Sequence, residues 1–257
     1  MNKYLKITLF TIKKEITFIY DYISSLFAYA IHIAVFYLIW DYVLASKQDI
    51  AGYNKESLIW YVIIGEIIMY AIRDTSGDIS SQVKNGDIAN MLVRPINFAA
   101  YMFSQRLSNF VRAGINILFA VFMGSLMAPH ISICGMQVIF SFISLFLSVI
   151  IAILIDIVIG LFSFFIEEVK SLRLIVSKLM LLLVFSPLEM FDEVFQVIFL
   201  VMPTTYAVYA PARIFAKYDL KVALFLIVMQ VISILVLIFV TKVQYERGVK
   251  KINANGG

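Results

Sequence analysis

The sequence holds one cysteine, two histidines and five prolines, and only 15% of its residues are charged. A single thiol, Cys134, excludes an internal disulfide and offers no metal-site spacing; it reads as a small packing residue near a helix end. No glycine is followed by lysine anywhere in the chain. A phosphate-cradling G-x-x-x-x-G-K-[ST] loop is therefore absent, and the chain does not bind ATP in that way itself. Neither His-Glu-x-x-His nor Gly-x-Ser-x-Gly occurs, so nothing assembles an enzyme active site and no cofactor is expected on this chain. The net charge of +4 is accounted for mostly by membrane topology, which leaves nucleic-acid binding unsupported.

What is abundant is apolar surface. Of 257 residues 62% are hydrophobic, with a mean hydropathy of +0.92. That exceeds what a soluble domain of this size can bury in one core. The apolar residues come in runs, and a crossing needs roughly 20 of them. Six runs qualify as spans: Tyr22–Leu44, Leu58–Ile72, Leu107–Met127, Met136–Ile166, Leu174–Leu188 and Val222–Val240. The expected fold is an all-α integral membrane protein, a single transmembrane domain over residues 1–257 with both termini on one side. Sixteen lysines and arginines fall on the side of the termini and five, Lys47, Lys55, Arg213, Lys217 and Lys221, on the other. The positive-inside bias makes the termini cytoplasmic.

Residues 1–20 carry Lys3, Lys6, Lys13 and Lys14 opposite Leu5, Leu9, Ile12, Ile16 and Ile19. This is the pattern of a helix lying in the membrane interface, lysines toward anionic lipid headgroups, and not of a cleaved signal. The fourth run is too long for one straight span and must tilt or project. Residues 186–219 are neither a clean span nor a polar loop. Pro187, Pro203 and Pro211 interrupt apolar stretches, which predicts a helical hairpin that dips into the outer leaflet and returns.

Within the spans, Glu66 and Asp156 are costly ionisable residues. They read either as parts of a polar transport route or as satisfied packing contacts. Arg112 or Lys178 could pair with Asp156, and both could snorkel. His32, in mid-span, reads as a bundle-facing hydrogen-bond partner.

A polar island, residues 73–97, interrupts the apolar runs. Residues 74–85 can form a short helix with Ile79 and Val83 on one face. Gly86 suits the helix-ending position, Asp87 can cap the next turn, and Arg94-Pro95 closes it. A rigid helix–turn–helix platform on the cytoplasmic face follows.

Six spans, an amphipathic N-terminal helix, the cytoplasmic helix and a broken segment before the last span resemble an ABC-2 type permease, the membrane subunit of type V ABC exporters. The string Gly86-Asp87-Ile88-Ala89 to Leu92-Val93-Arg94-Pro95-Ile96-Asn97 is similar to a signature of one bacterial branch. Gly52-Tyr53 ahead of Leu58-Ile59-Trp60-Tyr61, and the Pro203–Pro211 stretch, resemble that branch too. The chain departs from it at Asp21, where a basic residue is usual, and at Ala216-Lys217, where a glycine is expected.

The resemblance implies export in the plasma membrane, driven by ATP and Mg on a separate P-loop ABC ATPase in two copies. It also implies a second permease, unlike or identical, with the pathway between the two chains. The cytoplasmic helix would be a coupling helix whose ATPase contacts are Asp74, Asp78, Ile79, Gln82, Val83, Lys84, Gly86, Asp87 and Arg94, with Glu167 and Glu168 as a second contact. The cargo class would be amphipathic: a drug-like compound, an antimicrobial peptide or a lipid-linked molecule. A competing reading is a proton- or ion-coupled carrier that uses Glu66 and Asp156.

Overall fold

The computed structural model describes residues 3–17, 19–47, 49–72, 75–85, 98–166 and 168–255. Among them all regular structure is helical, apart from an isolated bridge between Ile50 and Tyr53. In chain order the helices are α1 (Lys3–Thr17), α2 (Ile19–Leu44), α3 (Lys55–Ala71), α4 (Thr75–Lys84), α5 (Phe98–Arg106) and α6 (Asn109–Met127). They continue with α7 (Gly135–Leu161), α8 (Lys170–Phe185), α9 (Glu193–Val201), α10 (Pro203–Ala216) and α11 (Leu220–Asn255). Short 3-10 turns follow α7 at Phe162–Phe164 and precede α9 at Leu188–Met190.

The centre of the bundle is α3, buried without a break from Ser57 to Ile68. Asn54 starts it, its side chain accepting from the Ser57 amide at 2.8 Å and satisfying one of the first-turn donors. Against it lies α6, whose buried residues Asn109, Ala113, Asn116, Ala120 and Gly124 form one helical stripe of small and amide side chains. The indole of Trp60 lies on Gly124, where a Cβ would run into the ring. The same indole donates to the Ala128 carbonyl at 2.9 Å. α10 packs between α3, α7 and α8 and is buried from Thr205 to Ala216. Cys134 caps α7 through a capping box with Gln137, a more specific role than filling space.

Among the described residues four helical stretches are long and apolar enough to cross a bilayer: Tyr22–Leu44, Ala100–Met127, Gly135–Phe164 and Leu220–Lys251. A fifth is reached if α9 and α10, bent by 109° at Met202, count as one. α3 and α8, expected as the second and fifth spans, have 17 and 16 residues. At about 1.5 Å per residue each measures some 25 Å, short of the ~30 Å hydrocarbon core. Six crossings need these two short helices to span as well.

The outer faces are apolar, with Phe27, Leu38, Leu118, Phe142, Val194 and Phe239 all more than half exposed. Of the expected helix-breaking prolines, Pro187 precedes the 3-10 turn and Pro203 occupies the first turn of α10. Pro211 breaks nothing: it sits inside α10, whose burial on three sides outweighs the hydrogen bond that proline removes. The expected glycine after Phe215 is not required either. Lys217 ends α10 at φ −143°, a backbone any residue adopts.

Candidate functional site

α4 forms as the i, i+4 pattern predicts. Ile79 is fully buried and Val83 half-buried against the core, while Asp78, Ser81, Lys84 and Asn85 are exposed. The buried side seats on α7 at Gly160, the crossing being so close that a Cβ there would meet Ile79 Cδ1 at 2.7 Å and Ser76 Cα at 3.1 Å. The exposed Asp78 forms an ion pair with Arg106 at the end of α5. Ile79, expected among the ATPase contacts, thus faces the bundle and anchors the helix. The surface offered to water is the stripe of Asp78, Ser81, Lys84 and Asn85. Gln82 is half-buried, and its Oε1 has no hydrogen-bond partner among the described residues.

Glu168 is exposed and accepts from the Lys170 amide at 3.0 Å, so it caps the start of α8. Asp74, Gly86, Asp87, Arg94 and Glu167 lie outside the described residues, as does the Gly86–Asn97 string.

Glu66 is fully buried in α3, and its Oε1 lies 3.2 Å from His32 Nδ1 of α2. Its Oε2 has no partner among the described residues. His32 is the bundle-facing partner the sequence suggests, yet its side chain is 45% exposed on the far side. Aromatic rings surround the pair: Tyr70 meets His32 edge-on at 5.7 Å, and Tyr29 stacks on Tyr70 at 5.1 Å.

Among the described residues Asp156 is not seen to pair with either expected partner. Arg173 of α8 approaches it to 3.9 Å, whereas Arg112 lies over the Tyr22 ring at 5.3 Å and Lys178 is exposed. Between Asp156, Arg173 and Ser177 on one side and Ile68, Met69 and Ile72 of α3 on the other is a cavity of about 80 Å³ that Glu66 does not line. Among the described residues no direct contact joins the two carboxylates: Glu66 meets His32 across α2 and α3, and Asp156 meets Arg173 across α7 and α8.

The composition, the set of long apolar helices and the short exposed helix α4 held by a long apolar helix point to a transporter membrane domain. Residues 30–256 match the family described as ABC-2 family transporter protein. The chain belongs to the ABC-2 family. It is a multi-pass membrane protein, the membrane subunit of an ABC transporter. ABC-2 membrane subunits are not themselves catalytic, ATP being hydrolysed in a separate subunit. A comparison with curated proteins gives no match.

One cluster of this ABC-2 subunit escaped the sequence reading. Glu189, in the 3-10 turn after α8, accepts from Arg213 Nε at 2.5 Å, Tyr209 at 3.1 Å and Tyr53 at 3.2 Å. Burial and the Glu189 carboxylate push the Tyr53 hydroxyl up, so it remains a donor. Lys217 closes the group by donating to the Ala51 carbonyl at 3.0 Å, against Gly52 with its positive φ of 76°. The signal available was Gly52-Tyr53 together with Arg213, residues that the division of lysines and arginines assigns to one and the same side.

Proposed function

We propose that the chain is one of two permease chains of an ATP-driven exporter, with ATP and Mg²⁺ held by two copies of a P-loop ABC ATPase. It crosses the plasma membrane six times, α3 and α8 being the short crossings, and both termini are cytoplasmic. α1 lies in the inner interface, and the α9–α10 bend is a re-entrant turn in the outer leaflet. The sixteen-to-five division of lysine and arginine supports this orientation.

The observation that carries the reading is the seating of α4. A short helix with Ile79 locked on Gly160 and an exposed stripe of Asp78, Ser81, Lys84 and Asn85 is built to receive force from a partner. It passes that force to α7 through Ile79 and to α5 through the Asp78–Arg106 pair. The capped start of α8, with Glu168, is the second contact. ATP-driven closure of the ATPase subunits then biases the bundle between two packings. The route lies between two permease chains, with the exposed side of His32 and the Glu66 behind it turned toward it. The cargo is amphipathic, a drug-like compound, antimicrobial peptide or lipid-linked molecule, because the exposed walls are apolar and aromatic.

A gradient-coupled carrier is the second reading, favoured by one observation, the unpartnered Glu66 Oε2. The separation of Glu66 from the Asp156 network weighs against a continuous ion path.

Crosslinking from Lys84→Cys or Asn85→Cys in native membranes, followed by mass spectrometry, tests the proposal. A P-loop ATPase attached at those positions is the expected product. Reproducible recovery of the chain alone would move the weight to the carrier.

A further inference from the structure

A sizeable cavity among the described residues lies away from the proposed route. It has a volume of about 460 Å³ and is walled by α5, α7 and α11, within the roughly 300–1,000 Å³ of small-ligand sites. Its body is apolar: Phe103 from α5, Leu154 and Ile157 from α7, and Ile238 from α11. One end carries Lys242, Tyr245 and Glu246. Lys242 is exposed and forms no ion pair among the described residues.

Two helices fix its depth independently. α11 begins at Leu220, and the 22 residues to Lys242 rise about 33 Å. α7 begins on the same outer side at Gly135, and the 19 residues to Leu154 rise about 29 Å. Both reach the far boundary of a hydrocarbon core of about 30 Å. On the orientation proposed above, this is where the inner-leaflet chains meet their headgroups. Basic residues ring this level. Arg247, Lys250 and Lys251 follow Lys242 on α11, all exposed. α1, held to the α5 wall by Thr8 donating to the Ser104 carbonyl at 3.0 Å, brings exposed Lys6, Lys13 and Lys14.

We infer that this groove binds an anionic membrane phospholipid from the inner leaflet, one acyl chain between Leu154 and Ile238 and the phosphate on Lys242. A neutral amphiphile would be served by the apolar body alone. Among the described residues Lys242 has no ion-pair partner, and although Glu246 shares its end of the groove, the surrounding lysines and arginine outnumber that carboxylate and favour an anionic headgroup. Two walls of the groove also hold α4, α5 through Arg106 and α7 through Gly160. A bound lipid therefore braces the surface read above as the coupling helix.

The test uses the full chain in phosphatidylcholine nanodiscs containing a minority of phosphatidylglycerol with a diazirine in mid-acyl chain. Labelling is expected on the α7 and α11 peptides that contain Leu154 and Lys242, displaced by unlabelled phosphatidylglycerol and not by added phosphatidylcholine. Lys242→Glu should lower it by at least roughly five-fold, the share of one basic residue near an anionic surface. Leu154→Trp should fill the groove and remove the label. Lys242 is exposed, so its variant remains informative if the tryptophan variant does not fold. Even labelling along α2 and α6, equal displacement by phosphatidylcholine, or indifference to Lys242→Glu would overturn the inference. Each readout is independent of the ATPase, so lipid capture without a co-purifying ATPase would sink the exporter reading and leave this one standing.

Discussion

Ile79 of α4 occupies the notch that Gly160 leaves in α7, and a methyl group at position 160 would lie 2.7 Å from its Cδ1. The Cδ1 end of the isoleucine could yield, but its Cβ at 2.9 Å and the Ser76 Cα at 3.1 Å are fixed to the backbone and cannot. Alanine gains about 1 kcal/mol of helix propensity over glycine, against roughly 1–3 kcal/mol for overpacking a close contact. Gly160→Ala should therefore loosen the seat slightly and Gly160→Val clearly. The expected result is faster hydrogen exchange over residues 75–85 in the valine variant, with global unfolding little changed. Protection equal to wild type would show that α4 is not seated by this contact.

The Asp78–Arg106 pair joins α4 to α5, with Asp78 58% and Arg106 11% exposed. A pair this open on one side is worth no more than about 1 kcal/mol and is screened by salt. Its loss should thus affect coupling more than folding. Asp78→Arg should lower ATP-driven transport, and the charge swap Asp78→Arg with Arg106→Asp should restore much of it at low salt. Transport by the single variant equal to wild type at both low and high salt would remove the pair from the coupling path.

Glu66 and His32 lend themselves to a double-mutant cycle. Removing His32 strands a buried carboxylate at a cost of about 3 kcal/mol, the usual range for breaking a buried pair. In a Glu66→Gln background no charge is stranded, and the loss should fall to about 1 kcal/mol. Denaturation of His32→Ala, Glu66→Gln and the double variant in detergent should give a coupling near 2 kcal/mol. Simple additivity would mean that the 3.2 Å contact carries no energy. If Glu66→Gln abolishes transport while ATP turnover stays responsive to cargo, the gradient-coupled reading gains.

Local features were legible and pairings were not. The i, i+4 spacing of Ile79 and Val83 placed them on one face of α4, because one helix's periodicity fixes its own faces, but not which way that face turns: both were expected among the ATPase contacts, and they turn to the bundle. Which residue receives that face depends on a helix far along the chain, and a glycine at 160 looks like any other until the helices cross. Asp156 shows the same limit: its depth could be counted along the span, but Arg173 became its partner only because α8 packs beside α7 there. Arg112, an equally good partner by depth, lies over Tyr22 instead. Pro211 was misread because burial of α10 between three helices outweighs a local breaking signal.

Glu189 and Arg213 supply a prediction for the cluster at the end of α10. The guanidinium donates from Nε to Glu189 and from Nη1 to the Lys217 carbonyl, and its side chain is 8% exposed. Arg213→Met leaves Glu189 with the two tyrosine donors, and the carboxylate is 29% exposed. The cost should be roughly 2–4 kcal/mol, below that of a fully buried stranded charge. Arg213→Lys should recover only part, since an ammonium cannot reproduce the two-way fork. Tyr53→Phe removes less, about 1 kcal/mol for the hydrogen bond lost, whereas Glu189→Gln leaves the Arg213 cation, the more buried partner, without its counter-charge and should cost about as much as Arg213→Met. Tyr53 also fixes a pH window. Its folded pKa is raised by burial and Glu189, so its contribution is complete below the unfolded value of about 10 and is lost only above it. Melting temperatures in detergent should be lowest for Arg213→Met and Glu189→Gln, higher for Arg213→Lys and highest for Tyr53→Phe. A lysine variant as stable as wild type would show that charge alone holds the α10 end to the loop at Tyr53, with the fork geometry contributing nothing.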